Sequence, residues 1–62
     1  MKKPVAYLIG EDGNIFNLIA IASKSLKKAN MPDRANEMRD RVLNSKSYSE
    51  ALSIIMEYVE VR

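Results

Sequence analysis

Apolar and polar residues follow different spacings along the chain, and each spacing predicts a type of element. Between Pro4 and Gly10 the residues are apolar on both alternating faces, which predicts a strand that needs cover on both sides. Between Glu57 and Arg62 the chain alternates, which favours a second strand, with the frayed end of a helix as the alternative. In that strand Val59 and Val61 would face one way, and Tyr58, Glu60 and Arg62 the other.

Three helices are expected between the two strands. The first is predicted from Ile15 to Ala29, with Asn14 as its N-cap and Asn30 as a left-handed stop. The second is predicted from Pro32 or Asp33 to Leu43, with a single apolar face opposite a charged one. Since Pro32 cannot continue a helix, it separates the first two.

The third helix is predicted from the cap residue Ser47 to about Met56. Ser47 and Glu50 have the spacing of a reciprocal capping box. Ala51, Leu52 and Ile55 are expected to be buried. The predicted fold is therefore α+β, a single β-α-α-α-β domain over residues 1–62 whose terminal strands pair, with the helices packed over one face.

The chain is short for a self-sufficient core. It has 62 residues, of which 47% are hydrophobic, and it has no cysteine for a disulfide. A domain of this size buries only about 60% of the surface of its unfolded chain, and a two-stranded sheet is marginal in water. We therefore expect dimerisation to complete the fold.

The first helix indicates where two copies would meet. In its first half only Asn17 is polar, so the helix is apolar nearly all round. The alternative is that this helix runs through the centre of one copy. Tyr7 and Tyr58, on outward strand faces, would join the interface or form a cross-strand pair instead. The predicted dimer interface consists of Phe16, Ala20, Ile21, Tyr7 and Tyr58.

The segment LIGEDGNIF, Leu8 to Phe16, resembles a strand–turn–helix junction. Two glycines three residues apart, without a third glycine or a lysine, do not make a dinucleotide or P-loop motif, and Glu11 and Asp12 would repel a phosphate. The turn is expected at Glu11-Asp12-Gly13, with the aspartate bonded to nearby backbone and Gly13 at positive φ. The two acids are interpreted as solvated turn residues that could contact a basic partner.

The composition disfavours an enzyme and a metal site. Histidine and cysteine are both absent, which removes the usual general base and the commonest metal ligands. No apolar stretch approaches the length of a membrane-spanning helix, and acids follow the N-terminal lysines too closely for a signal peptide. We expect no enzymatic activity, no cofactor, no metal and no membrane partner, and a location in the cytoplasm of a bacterial host.

Positive charge is concentrated in the first half of the chain. The net charge is +2, made of +3 from residues 1–31 and −1 from residues 32–62. A nucleic-acid-binding regulator is therefore the alternative function, although acids interrupt the arginines of the second helix. The residues expected to bind nucleic acid are Lys24, Lys27, Lys28, Arg39 and Arg41.

Several segments together resemble a family of very small, mostly uncharacterised bacterial and phage proteins. They are LIGEDGN with Ile15-Phe16, the basic KSLKKA of the first helix, and MEYVEV at the C-terminus; Asn30 to Ser47 match loosely. The resemblance implies a small phage or mobile-element inhibitor of a bacterial defence protein, similar to inhibitors of the Hachiman system. It carries over no catalytic residue.

The expected function is that of a homodimeric, non-enzymatic protein–protein interaction module. It would occupy a surface on a larger bacterial protein, as an anti-defence factor. An antitoxin-like or adaptor subunit is a third possibility. The residues expected to contact the partner protein are Glu11, Asp12 and Arg34.

Overall fold

The computed structural model describes residues 2–62 and has the predicted α+β order, with two terminal strands and three helices between them. The elements are β1 (Val5–Ala6), α1 (Ile15–Lys28), α2 (Pro32–Leu43), α3 (Tyr48–Tyr58) and β2 (Glu60–Val61).

β1 and β2 pair in parallel, so the first and last elements meet as expected. Val5 lies opposite Glu60 and Ala6 opposite Val61. Backbone bonds continue the ladder beyond the strands: the Leu8 N–H donates to the Arg62 carbonyl at 2.7 Å. β1 is shorter than predicted because the chain begins to turn at Leu8, whose carbonyl accepts the Glu11 N–H at 3.2 Å.

Only one face of the sheet is covered. Ala6 and Leu8 are buried against the helices, whereas Tyr7 and Ile9 are 68% and 79% exposed. The helices therefore pack over one face of the sheet, as predicted, and the second face of the first strand is left without cover from residues 2–62.

Local hydrogen bonds set the ends of α1. The Asn14 side chain accepts the Phe16 N–H at 2.9 Å, as predicted for an N-cap. At the other end Asn30 has φ 62°, and the Met31 N–H donates to the Leu26 carbonyl at 2.8 Å. This six-to-one bond is a Schellman motif, and it confirms Asn30 as the left-handed stop.

α2 and α3 begin where the sequence indicates, but α3 ends later than predicted. Pro32 occupies the first turn of α2, and the Ser47 hydroxyl accepts the Glu50 N–H at 3.0 Å. The return bond of the capping box, from the Glu50 side chain, is absent among the contacts of residues 2–62. α3 continues to Tyr58, so Tyr58 is a helical residue and its placement on an outward strand face is wrong.

All five elements contribute to one hydrophobic core. Its most completely buried large side chains are Leu26, Met38, Ile55 and Val59. Val59 lies between α3 and β2. Because it is buried, the core also fixes the point at which α3 ends and β2 begins. Among residues 2–62 no polar or charged residue is buried.

Candidate functional site

The loop between β1 and α1 holds two exposed carboxylates in a hydrogen-bonded turn. The Asp12 Oδ1 atom accepts the Asn14 N–H at 2.9 Å, and the Asn17 side chain donates to the Asp12 carbonyl at 2.8 Å. Glu11 and Asp12 are exposed, and neither forms a salt bridge with residues 2–62. The two acids therefore carry negative charge that no salt bridge within residues 2–62 balances. The loop is a turn and does not suit an anion.

The positive φ predicted for Gly13 is found at the other glycine of this loop. Gly10, not Gly13, has the positive φ, of 90°. The expectation for Gly13 is therefore wrong; Gly13 lies instead close to Tyr48, whose hydroxyl donates to the Gly13 carbonyl. A β-carbon on Gly13 would come within 3.3 Å of that hydroxyl oxygen. Tyr48 thus ties the loop to the start of α3.

A groove lies between this loop and one side of α3, and we call it the α3 groove. Ile9 and Gly13 line one wall; Tyr48, Leu52 and Met56, one per helical turn, line the other. Met56 is 56% exposed and Ile9 is 79% exposed. Every side chain that lines the groove is uncharged, and the remaining lining residues are Leu8, Leu18, Ile55 and Val61.

A second groove adjoins the first, and we call it the Phe16 groove. It shares Tyr48 with the α3 groove and is lined also by Phe16 and Leu43, which are 67% and 53% exposed. Lys46 is the charged side chain on its lining. Together the two grooves contain five of the six large hydrophobic residues that are exposed in residues 2–62.

The residues predicted for the dimer interface separate into three groups. Phe16, Ala20 and Tyr7 are exposed. Ile21 is half-buried and packs against the core. This position agrees with the alternative prediction, in which the first helix runs through the centre of one copy. Tyr58 is buried at 5% exposure, so neither the outward interface position nor a cross-strand pair with exposed Tyr7 is correct.

Tyr58 belongs to a polar cluster that joins α2 to α3. Its hydroxyl donates to Glu37 and accepts from Arg41 at 3.1 Å. Arg41 also holds Glu57 through two bonds of 2.8 and 3.3 Å, and its guanidinium lies 5.6 Å from the centre of the Tyr58 ring. The cluster therefore ties the last turn of α3 to the outer face of α2.

These contacts shift three pKa values. Burial, followed by the hydrogen bond to Glu37, raises the pKa of Tyr58 above its ordinary value. The hydrogen bond from Arg41 lowers the pKa of Glu57, and the same bond raises the pKa of Arg41. All three shifts favour the protonation states that keep the cluster bonded near neutral pH.

The basic residues do not form one surface. Lys24, Lys27 and Lys28 line a shallow groove on the last turns of α1 and form no salt bridge within residues 2–62. Arg41 is committed to Glu57, and Arg39 lies 3.8 Å from Asp40. Arg34 lines a separate groove with Lys2 and Lys3, and neither Glu11 nor Asp12 lines that groove.

Sequence reasoning missed the exposed side of α3. Leu52 was expected to be buried, but it is only half-buried and lines the α3 groove. A signal was present: Tyr48, Leu52 and Met56 are spaced by four, and they form a second apolar stripe beside Ala51 and Ile55.

Within residues 2–62 no group of three or more acidic, histidine or cysteine residues lies together as metal ligands would. None of the helices in this part of the chain has the length and apolar character needed to cross a membrane. Comparison with protein-family models, with curated proteins and with solved structures finds no match to this chain.

Proposed function

We propose that this chain is a non-enzymatic protein-binding module that docks a larger protein on its exposed apolar surface. The observation that carries the proposal is the concentration of five exposed hydrophobic side chains in the two adjoining grooves. Contiguous exposed apolar surface of this kind marks interaction sites in small proteins. Aromatic residues and methionine, here Phe16, Tyr48 and Met56, are also enriched at protein interfaces.

The size of the surface supports a protein partner. A standard interface covers about 800 Å² on each side. The whole described chain exposes 4284 Å², so such an interface would cover about a fifth of it. A module this small therefore has room for one or two docking surfaces, and the grooves already gather its exposed hydrophobic residues.

The biological setting in this proposal rests on the resemblance of LIGEDGN, KSLKKA and MEYVEV to small phage and bacterial proteins. The partner would be a bacterial defence protein, and the module would inhibit it in the host cytoplasm by occupying its surface. An inhibitor of this type needs shape and contact residues rather than reactive groups. Glu11 and Asp12 beside the α3 groove would supply the polar contacts.

Nucleic-acid binding is a second candidate because Lys24, Lys27 and Lys28 are exposed and free of salt bridges within residues 2–62. Three phosphate contacts would give a log–log salt slope of about −3 on duplex DNA. The test is a DNA titration from about 50 to 200 mM salt, with Lys24→Gln/Lys27→Gln as the variant. A flat response, or no binding at the lower salt, would eliminate this candidate.

The docking proposal is tested by photo-crosslinking in host cells. The photoreactive amino acid p-benzoylphenylalanine replaces Met56 in the α3 groove, and in a matched control it replaces Lys24 on the lysine surface of α1. We expect a discrete crosslinked partner from the Met56 position and none from the Lys24 position.

A partner captured only from the Lys24 position would contradict the proposal. So would a partner that crosslinks equally from both positions, because the α3 groove would then have no special role. Substituting Ile9→Ser in the crosslinking chain should abolish capture from Met56, since Ile9 forms the opposite wall of the groove.

A further inference from the structure

The α3 groove is lined by apolar and uncharged side chains, and it is small. It holds about 250 Å³, below the roughly 300–1,000 Å³ of typical small-molecule sites. Its one polar side chain is Tyr48, and that hydroxyl already donates to the Gly13 carbonyl. The groove therefore suits the apolar side chains of another polypeptide better than a whole polar metabolite.

The length of the groove matches two turns of helix. Tyr48 and Met56 lie eight positions apart on α3, which is about 12 Å at 1.5 Å per residue, with Leu52 midway between them. A partner helix with apolar residues at i, i+4 and i+7 spans about 10.5 Å by the same rise. Three such side chains would face the α3 stripe on one side and Ile9 on the other.

The charge beside the groove is negative. Ile9 and Gly13 line the groove, and the acids Glu11 and Asp12 lie in the loop between them without a salt bridge in residues 2–62. The two nearest cations do not pair with these acids, although Lys3 keeps its positive charge beside Met56. The Lys3 amino group donates to the Met56 carbonyl at 2.9 Å, and Arg62 pairs with Glu60 at 2.5 Å.

We propose that the α3 groove binds a basic amphipathic helix of the partner protein. Its apolar face would enter the groove between Ile9 and the Tyr48–Leu52–Met56 stripe, and its lysines or arginines would pair with Glu11 and Asp12. This inference rests on the proposed docking function and adds the chemistry of the partner segment. A second copy of this chain is the competing occupant.

The test uses two synthetic peptide helices with the same three leucines at i, i+4 and i+7. One carries lysines on the flank of the leucine stripe, and the other carries glutamates at the same positions. Each is titrated into ¹⁵N-labelled protein and followed by NMR. We expect the lysine peptide to shift the amide signals of Ile9, Leu52 and Met56, and to bind about three- to tenfold more tightly than the glutamate peptide.

Two variants locate the charge effect. Glu11→Gln/Asp12→Asn removes both charges and keeps an acceptor for the Asn14 N–H, and it should abolish the difference between the peptides. Glu50→Gln removes one charge from the first turn of α3, outside the groove lining, and it should leave the difference unchanged.

Equal binding of the two peptides, shifts confined to residues outside the groove, or no binding of either peptide would overturn the inference. Occupation of the groove by a second copy, seen as concentration-dependent shifts of Ile9 and Met56 without peptide, would also overturn it. If the peptides fail while Met56 still crosslinks a partner in cells, the basic-helix inference falls and the docking function stands. If Met56 crosslinks no partner, the docking function itself falls.

Discussion

Gly10 is the residue at which the backbone of this fold most needs a glycine. Its φ is 90°, and a β-carbon at this position would meet no atom within 4 Å. A Gly10→Ala substitution therefore tests backbone strain without a steric clash. We predict that it lowers the free energy of unfolding by about 1–2 kcal/mol, measured by urea denaturation.

A chain of 62 residues is within reach of chemical synthesis, which provides a matched control. D-Alanine at position 10 carries the same methyl group but favours positive φ. It should retain or slightly increase the stability of the parent chain, because it restricts the unfolded state. Equal losses with L- and D-alanine would show that φ at this position is not the cause.

The hydroxyl of Tyr58 joins Glu37 to Arg41 from a largely buried position. Phenylalanine at this position would leave the ring packed but would remove both hydrogen bonds. We predict that Tyr58→Phe lowers the free energy of unfolding by about 1–3 kcal/mol, since both partners are charged. Tyr7→Phe, on an exposed tyrosine, should change it by less than about 0.5 kcal/mol in the same denaturation assay.

The raised pKa of Tyr58 gives this contribution a pH dependence. Because the folded pKa lies above the unfolded value of about 10, the folded state holds the phenol proton more tightly. The stabilisation is complete below pH 10 and is lost as pH rises through the folded pKa. Stability curves of the parent chain and of Tyr58→Phe, measured from pH 8 upwards, should therefore approach each other as the pH rises above about 10; parallel curves would contradict this.

Residue identities that act through local bonds could be predicted from the sequence. Asn14 caps α1 and Asn30 stops it because each conformation depends on a few neighbouring atoms. The assignment of positive φ to Gly13 failed because two glycines three residues apart both fit a turn. The choice between them depends on where Leu8 leaves the sheet, and that depends on its bond to Arg62.

At the scale of elements, the start of α3 depends on a single side chain. The Ser47 hydroxyl accepts the Glu50 N–H, whereas Glu50 makes no return bond among the described contacts. We predict that Ser47→Ala lowers the free energy of unfolding by about 1 kcal/mol. Ser49→Ala, at an exposed helical position, should change it by less than about 0.5 kcal/mol; equal losses for the two variants would contradict the cap.

The end of α3 could not be placed from sequence because two periods overlap there. Tyr58, Val59 and Val61 fit an alternating strand, and Tyr58 also follows Ile54 and Ile55 at helical spacing. The polar cluster decides between the two, because Arg41 on α2 reaches both Glu57 and Tyr58 only while both lie on the last turn of α3. Arg41 is 16 positions before Glu57 and 17 positions before Tyr58, so no local sequence pattern includes both ends of these contacts.

For a similar reason, the sequence predicted the exposure of Phe16 but not that of the α3 side chains in the α3 groove. An apolar residue in a short sequence is expected to be buried, and Leu52 and Met56 continue the stripe of a normal core helix. α3 has more apolar residues than α1 and α2 can cover, and that excess depends on packing across the whole molecule. Phe16 was identified as exposed because a helix that is apolar all round leaves one side without a neighbour.

At the scale of the whole molecule, the exposed hydrophobic residues lead us to predict a homodimer at micromolar concentration. Phe16 and Ala20 lie on the outer face of α1, and the Phe16 groove is continuous with Leu43 of α2. Sedimentation velocity should detect the dimer. Phe16→Ser should raise its dissociation constant by at least tenfold, because it removes the exposed aromatic ring that a dimer would bury.

A matched control is Lys24→Ser, which changes another exposed residue of α1, eight positions from Phe16, without removing an aromatic ring. It should leave the sedimentation coefficient unchanged. A parent chain that sediments as a monomer throughout the micromolar range would refute the dimer, although the α3 groove would remain available to another protein.

The parallel pairing of β1 with β2 has a consequence for folding kinetics. Contacts such as Leu8 with Arg62 close a loop that contains all three helices, and the entropy of that closure is unfavourable until the helices have assembled. The strand ladder should therefore form after the transition state. A Val61→Ala substitution should accelerate unfolding and leave the refolding rate nearly unchanged. The pairing of β1 with β2 would then control how long the native state persists.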